Sequence, residues 1–345
     1  MEARSKTGKG VGARLLRKED DRYMRGRGKF IADIRLAGMK DVAFLRSPLA
    51  HARLKGISVP ERLRGRAFTH EDMTGVQAIR AVSGLSGFKV SEQPPLATGK
   101  VRHVGELVAM CLGESRAEAE DVVAEIDVQF EELPAIVDIL EGGRTDSPLV
   151  HENWGDNIYL ESFFDGDLTE AKAAAAVAVT KKIRTNRQCM APIEGRGVVS
   201  YWDSRLEQLV LYTATQMSHI VRTGIAECLG LDQAKVRVIA PDVGGGFGYK
   251  GILAPEEVCL GWLAMHCGHP VRWLEDRREH LTANANCREH RYSDRGHHGA
   301  CHGPQDVAEC DFSNRNRRGQ GGFVNVVVDA VVGVPRRFEQ GVKHC

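Results

Sequence analysis

A chain of 345 residues can hold two or three domains with apolar cores, and its 47 basic and 46 acidic residues leave a net charge of +1. That balance argues against a polyanion-binding surface, and so against nucleic acid as the main partner. No apolar run approaches the ~20 residues a bilayer span requires, and the start MEARSKTGKGVGAR lacks the apolar core of a signal peptide, so a cytoplasmic protein without membrane contact is expected.

The nine cysteines contain no C-x-x-C, which argues against an iron–sulfur cluster or zinc ribbon held by this chain and for reduced thiols, several of them buried. Residues 1–10 are small and polar, a disordered end. The stretch RLLRKEDDRYMRGRGK, 14–29, is basic but laced with acids; it reads as a solvated face, with a partner contact as the alternative.

From 11 to about 140 the pattern is mixed α and β. Leu107, Ala109 and Cys111 alternate as a strand would. Ser115-Arg116-Ala117-Glu118 is a capping box, in which the Ser oxygen and the Glu carboxylate satisfy orphan amides at a helix start. Ala119, Val122, Val123 and Ile126 then recur at helical spacing, and Val128-Gln129-Phe130 returns to period two. The stretch EGGRTDSP, 141–148, is acidic and glycine-containing; residues 141–156 read as a linker into a second domain.

That second domain opens with two similar units. In the first, Leu209, Leu211 and Thr213 share a strand face, Thr215-Gln216-Met217 turns, and Ser218 is placed to cap a helix with Val221, Ile225, Cys228 and Leu229 inward and Gly230 at its end. In the second, Val236 and Val238 belong to a strand, a glycine-rich loop follows, and Pro255 starts a helix with Glu256 and Glu257 favouring its dipole. That helix stops at Gly268, before the strand PVRWL. Gln216 and Phe247 both fall just beyond strand ends, where α/β scaffolds tend to bind ligands.

Gly246-Phe247-Gly248-Tyr249-Lys250-Gly251 is a literal G-x-G-x-x-G, and Glu275 after the next strand is a possible ribose-binding acid; an FAD- or NAD-binding oxidoreductase is therefore one reading. Against it, Ile252, Leu253 and Ala254 separate Gly251 from the helix start, so the helix dipole is moved away from the loop. Gly244-Gly245-Gly246 also supplies more glycine than the tight turn needs. Bare backbone of this kind presents several N–H groups at close range to a bulky ligand, with Phe247 as an apolar wall; a turn needed only for packing is the bland alternative.

ATQMSHIVRTGIAECLGLDQAKVRVIAPDVGGGFGYK, 214–250, resembles the molybdopterin-binding core of the molybdenum hydroxylases, the large subunits of xanthine dehydrogenase, aldehyde oxidase and aerobic carbon monoxide dehydrogenase. Residues 21–54 and 102–138 resemble the family's α/β hammerhead domain, and 191–203 and 269–281 its molybdopterin domain. The likeness implies an α+β, mixed α/β chain: a hammerhead domain over 11–140, then the first part of a molybdopterin-binding domain over 157–292. By resemblance, Gln216 would hydrogen-bond an oxygen ligand of molybdenum, the backbone of Phe247 and Gly248 would approach the metal's ligands, and Gly245 and Gly246, in the run that starts at Gly244, would line the pterin. No side chain would bind the metal directly. The implied cofactor is molybdenum–molybdopterin of the cytosine dinucleotide type, with FAD and iron–sulfur clusters on separate partner subunits. The implied chemistry is hydroxylation of an aldehyde, an N-heterocycle or carbon monoxide, with water as the oxygen source.

The family's large subunit is about twice as long, and its general-base glutamate has no counterpart here; Glu194 in APIEGRG matches a different, structural carboxylate. The expectation is an N-terminal half that is catalytically incomplete alone and holds cofactor weakly or not at all, with a non-catalytic assembly remnant as a third reading. After CREHRY, 287–292, the family likeness stops. The tail 293–345 reads as out-of-frame translation or a disordered end; His297, His298, Cys301, His302 and Cys310 match no compact metal motif.

Overall fold

The computed structural model describes residues 11, 16–137, 139–161, 169–176 and 189–283. The disordered-end reading of residues 1–10, and the tail with its reading-frame and metal interpretations, lie outside the described residues.

After a short helix α1 (Asp20–Met24) come strands β1 (Lys40–Arg46), β2 (Ala52–Ser58), β3 (Ala67–Phe68), β4 (Ile79–Ala81), β5 (Ser91–Gln93), β6 (Lys100–Val101) and β7 (Leu107–Gly113). Helix α2 (Arg116–Ala124) leads to β8 (Asp127–Glu132), α3 (Ile139–Gly142) and α4 (Thr169–Ala174). The remainder is β9 (Gly197–Asp203), β10 (Gln208–Thr213), α5 (Ser218–Leu229), β11 (Val236–Ile239), α6 (Pro255–Cys267), β12 (Val271–Leu274) and α7 (Arg277–Ala283).

One seven-stranded sheet, ordered β11-β10-β9-β12-β1-β7-β3, joins strands from both ends of the chain. The seam is the parallel pair β1–β12, with Lys40 opposite Val271. A single apolar core spans that seam, bringing Phe44 and Met110 together with Leu211, Ile225, Leu263 and Trp273. β2 pairs with β6 and β8 in a second sheet.

Strand β7 differs from its alternating expectation: every residue from Leu107 to Gly113 is buried. It lies between β1 and β3 with both faces covered, Met110 and Leu112 on the main core and Ala109 and Cys111 against Val122 and Ile126. A strand covered on both faces is apolar throughout rather than at every second residue. Helix α6 is likewise buried over most of its length.

Two caps differ in detail from the sequence reading. Ser115 does accept the Glu118 amide through its side chain, but the Glu118 carboxylate receives the Glu114 N–H, one residue before the cap. Ser218 is the first residue of α5 rather than its cap; Met217 takes that place, and its N–H is received by Thr215 Oγ1 at 3.1 Å. The stretch read as a linker is pinned by buried Asn157, whose side chain accepts the Val150 N–H and donates to the carbonyls of Gly142 and Pro148. No helix among the described residues is long and apolar enough to cross a membrane.

Candidate functional site

Because β10 and β11 run parallel, the segments that leave their carboxyl ends emerge at the same edge of the sheet. The first carries Gln216 and the second the glycine loop, and the fold brings them into contact. Gln216 Oε1 accepts the Gly248 N–H at 3.0 Å, while the Gln216 main-chain N–H donates to the Lys250 carbonyl at 2.8 Å. The acceptor role fixes the amide's orientation, leaving its NH2 group without a partner among the described residues.

The approach is close enough to dictate residue type. A Cβ at position 246 would sit 2.5 Å from Gln216 Cδ and Oε1, closer than atoms can come. Gly245 and Gly248 adopt φ of 102° and 81°, and Phe247 itself holds φ of 52°, an uncommon left-handed conformation for a bulky residue. The residue is 69% exposed. The N–H groups of Gly245, Gly246 and Phe247 donate no hydrogen bond among the described residues. A half-exposed run of unused donors is the polar surface that a hydrogen-bonding ligand requires.

Beneath the loop lies a set of charges. Glu194 Oε2 accepts the Gly244 N–H at 2.7 Å and the Lys250 ammonium at 2.9 Å, and Oε1 receives the Ile31 N–H at 3.4 Å. The Glu194 carboxylate is thus engaged in holding the loop, a structural part. Burial pulls the Lys250 ammonium below its ordinary pKa, and Glu194 opposes that pull.

A larger cluster was not legible from spacing. Arg196 donates to both carboxylate oxygens of Glu256 at 3.0 and 2.9 Å and to Glu275 Oε1 at 2.9 Å. Its guanidinium also stacks over the Tyr249 ring. The Tyr249 hydroxyl donates to Glu275 at 2.5 Å, and Arg46 adds a second cation to Glu256. Burial works against ionisation of Glu275, but the Arg196 charge, then the bonds from His280, the Arg196 N–H and Tyr249, hold its carboxyl well below the usual range. Glu256 and Glu275 therefore serve this network. Glu275 is not available as a ribose ligand, which removes the support it lent to a dinucleotide fingerprint at Gly246–Gly251. Glu257 has a different fate: burial pushes its carboxyl up to about 7, although the Ala254 N–H and Thr213 hydroxyl donate to it. The only sequence signal for the cluster was a pair of glutamates at the start of an otherwise apolar helix.

The described residues of the basic stretch 14–29 are exposed or half-exposed, and part of the stretch is nevertheless tied to the loop. Arg22 forms a two-pronged ion pair with Asp242, two residues before the glycine run. The Tyr23 hydroxyl and Lys29 N–H donate to the same carboxylate at 2.9 and 2.7 Å.

Two family profiles match the chain. Residues 25–134 match the α/β hammerhead domain of aldehyde oxidase and xanthine dehydrogenase, and residues 150–295 the molybdopterin cofactor-binding domain. The chain is 36% identical to the nicotine 6-hydroxylase large subunit of Paenarthrobacter nicotinovorans, over 81% of this chain and 35% of that protein. It is 30% identical to the carbon monoxide dehydrogenase large chain of Hydrogenophaga pseudoflava, over 84% of this chain and 38% of the relative. Among solved structures, quinoline 2-oxidoreductase from Pseudomonas putida 86 superposes with a TM-score of 0.72 at 39% identity, covering 77% of this chain and 35% of that one. The chain thus spans little more than a third of the length of these relatives.

Proposed function

Because the chain belongs to the molybdopterin-binding large subunits of the xanthine dehydrogenase and aldehyde oxidase family, we propose that the glycine loop and Gln216 form part of the cradle for a molybdenum–pterin cofactor. The observation that carries this is the set of amides at Gly245, Gly246 and Phe247 that donate to nothing among the described residues, lying beside a glutamine whose NH2 group likewise has no partner among them. The residues fit such a group: a polar, multi-acceptor ring system needs donors at short range and no side chain between.

When bound, the cofactor supplies two-electron hydroxylation chemistry with water as the oxygen source. The chain's own residues bind and orient. Gly244 and Gly248 are fixed by Glu194 and Gln216, so the three amides between them are held in place rather than ordered on binding. Gln216 would donate from its side-chain NH2 group to an oxygen of the group. Phe247 offers an apolar wall that excludes water on one side.

In finer detail, the cofactor is proposed to be the cytosine dinucleotide form, and the substrate a small aromatic N-heterocycle. The choice of substrate is supported by the higher identity to the nicotine and quinoline enzymes than to the carbon monoxide enzyme. Electrons would leave through iron–sulfur clusters and FAD on partner subunits, a reading supported by the lack of cluster-type cysteine spacing in the chain. A cytoplasmic site of action is proposed with it.

The test is to purify the chain from a host that makes molybdenum–pterin and to measure molybdenum, oxidised pterin and released nucleotide. Because the chain spans little more than a third of its relatives, binding well below one pterin per chain is expected, with pterin and cytidine nucleotide still above a Gly246→Ala control. Bound FAD or NAD, or pterin no higher than in that control, would sink the reading.

A further inference from the structure

We propose that Lys250 is a positioning residue that clasps the glycine loop at both ends, holding its amides in place for the cofactor before any cofactor binds; this rests on the cradle reading above.

The Lys250 side chain is 0% exposed, a rare state for lysine that demands a paired partner. Its ammonium donates to Glu194 Oε2 at 2.9 Å, and that same oxygen accepts the Gly244 N–H at 2.7 Å. The side chain therefore fixes the first residue of the loop through a shared acceptor. The Lys250 carbonyl meanwhile accepts the Gln216 N–H at 2.8 Å and the Thr215 hydroxyl at 3.2 Å, which sets the turn carrying the Gln216 amide. Gln216 in turn receives the Gly248 N–H. One residue thus ties the entry of the loop by its charge and the exit by its main chain, and the amides of Gly245 to Phe247 lie between the two ties.

The two ties are separable by substitution. Lys250→Met keeps the carbonyl bonds and much of the volume but removes the cation that orients Glu194. Packing alone would be satisfied by methionine; the ion pair would not.

The experiment follows amide hydrogen exchange in the full chain, with and without Lys250→Met, Glu194→Ala and both together. In Lys250→Met, exchange at Gly244 is expected to rise at least tenfold, with less than a twofold change at Gly248, in β9 and in α5, because the main-chain tie is kept. The double variant should match Glu194→Ala rather than the product of the two, because Glu194→Ala already removes the acceptor through which the Lys250 charge acts on the loop. Pterin recovered with Lys250→Met should fall at least tenfold relative to wild type. An increase under twofold at Gly244, equal acceleration at Gly248 or in β9 and α5, multiplying effects, or pterin unchanged despite faster exchange would each overturn the proposal. If wild type carries no pterin, the cradle reading falls, and the exchange data alone decide the clasp.

Discussion

Gln216 Oε1 and the Gly248 amide, 32 positions apart in the chain, meet at 3.0 Å. Neighbouring Gly246 is packed so tightly on the same side chain that a Cβ there would overlap it. A side-chain amide thus sets the path of a glycine loop, and the amides of Gly245, Gly246 and Phe247 donate to nothing among the described residues.

Gly246→Ala should therefore be costly out of proportion to one methyl group. The added Cβ, 2.5 Å from the Gln216 amide, forces either the loop or the turn to move. Overpacking of this kind costs typically 1–3 kcal/mol. A lowered urea midpoint together with lost pterin binding is expected; a midpoint equal to wild type would contradict the contact.

Gln216→Ala should separate binding from folding. The side chain is exposed and its one described bond joins the Gly248 amide. The expected outcome is a stability change within about 1 kcal/mol and a pterin content reduced several-fold, read by thermal melting and pterin fluorescence.

Glu257 should give stability a pH dependence. Its carboxyl rises from an ordinary 4.5 to about 7 in the folded chain because it is buried. The folded state then binds a proton that the unfolded state has released between those two values. The contribution is complete below pH 4.5 and declines until about pH 7, by at most about 3 kcal/mol. Glu257→Gln should flatten this part of the stability profile, measured by urea unfolding from pH 5 to 8; an unchanged slope would count against it.

Arg196→Met would leave Glu256 and Glu275 short of their shared cation. Arg46 still faces Glu256, but the described residues give Glu275 only polar donors and His280. Removing one partner of a buried charge network costs about 3–5 kcal/mol. The loss should appear as a large fall in melting temperature, eased at low pH, where the carboxylates protonate.

Asp242→Ala should free the basic arm. Arg22, Tyr23 and the Lys29 amide all bind this one carboxylate, and these hydrogen bonds, the one from Arg22 foremost, hold its pKa well below the ordinary aspartate value despite opposing burial. Tryptic cleavage at Arg25 and Arg27 should quicken several-fold in the variant. In wild type the docking should persist as pH falls until it drops below the ordinary aspartate range; release near neutral pH would show that the ion pair does not hold the arm.

Much of the local structure was legible in the chain itself. Periodicity and helix-end residues marked α2, α5 and α6, with Gly230 and Gly268 ending their helices in left-handed conformations and Pro255 starting one. The glycine run and Gln216 stood out because chemistry restricts which residues can occupy a bare loop and the turn facing it. The molybdopterin-domain resemblance rested on that segment, and the hammerhead resemblance on residues 21–54 and 102–138. These signals are local, carried by residues within a few positions of each other.

What the tertiary structure alone decided is who pairs with whom across long stretches of chain. Strand β1 joins β12, so the two ends share one sheet and one core; nothing in either strand's own pattern names its neighbour. Burial of β7 on both faces follows from that placement, not from its composition. The charges beneath the loop are decided in the same way. Glu194, Lys250, Arg196 and Glu275 are ordinary polar residues until folding removes water from them, after which each one's state depends on partners tens of positions away.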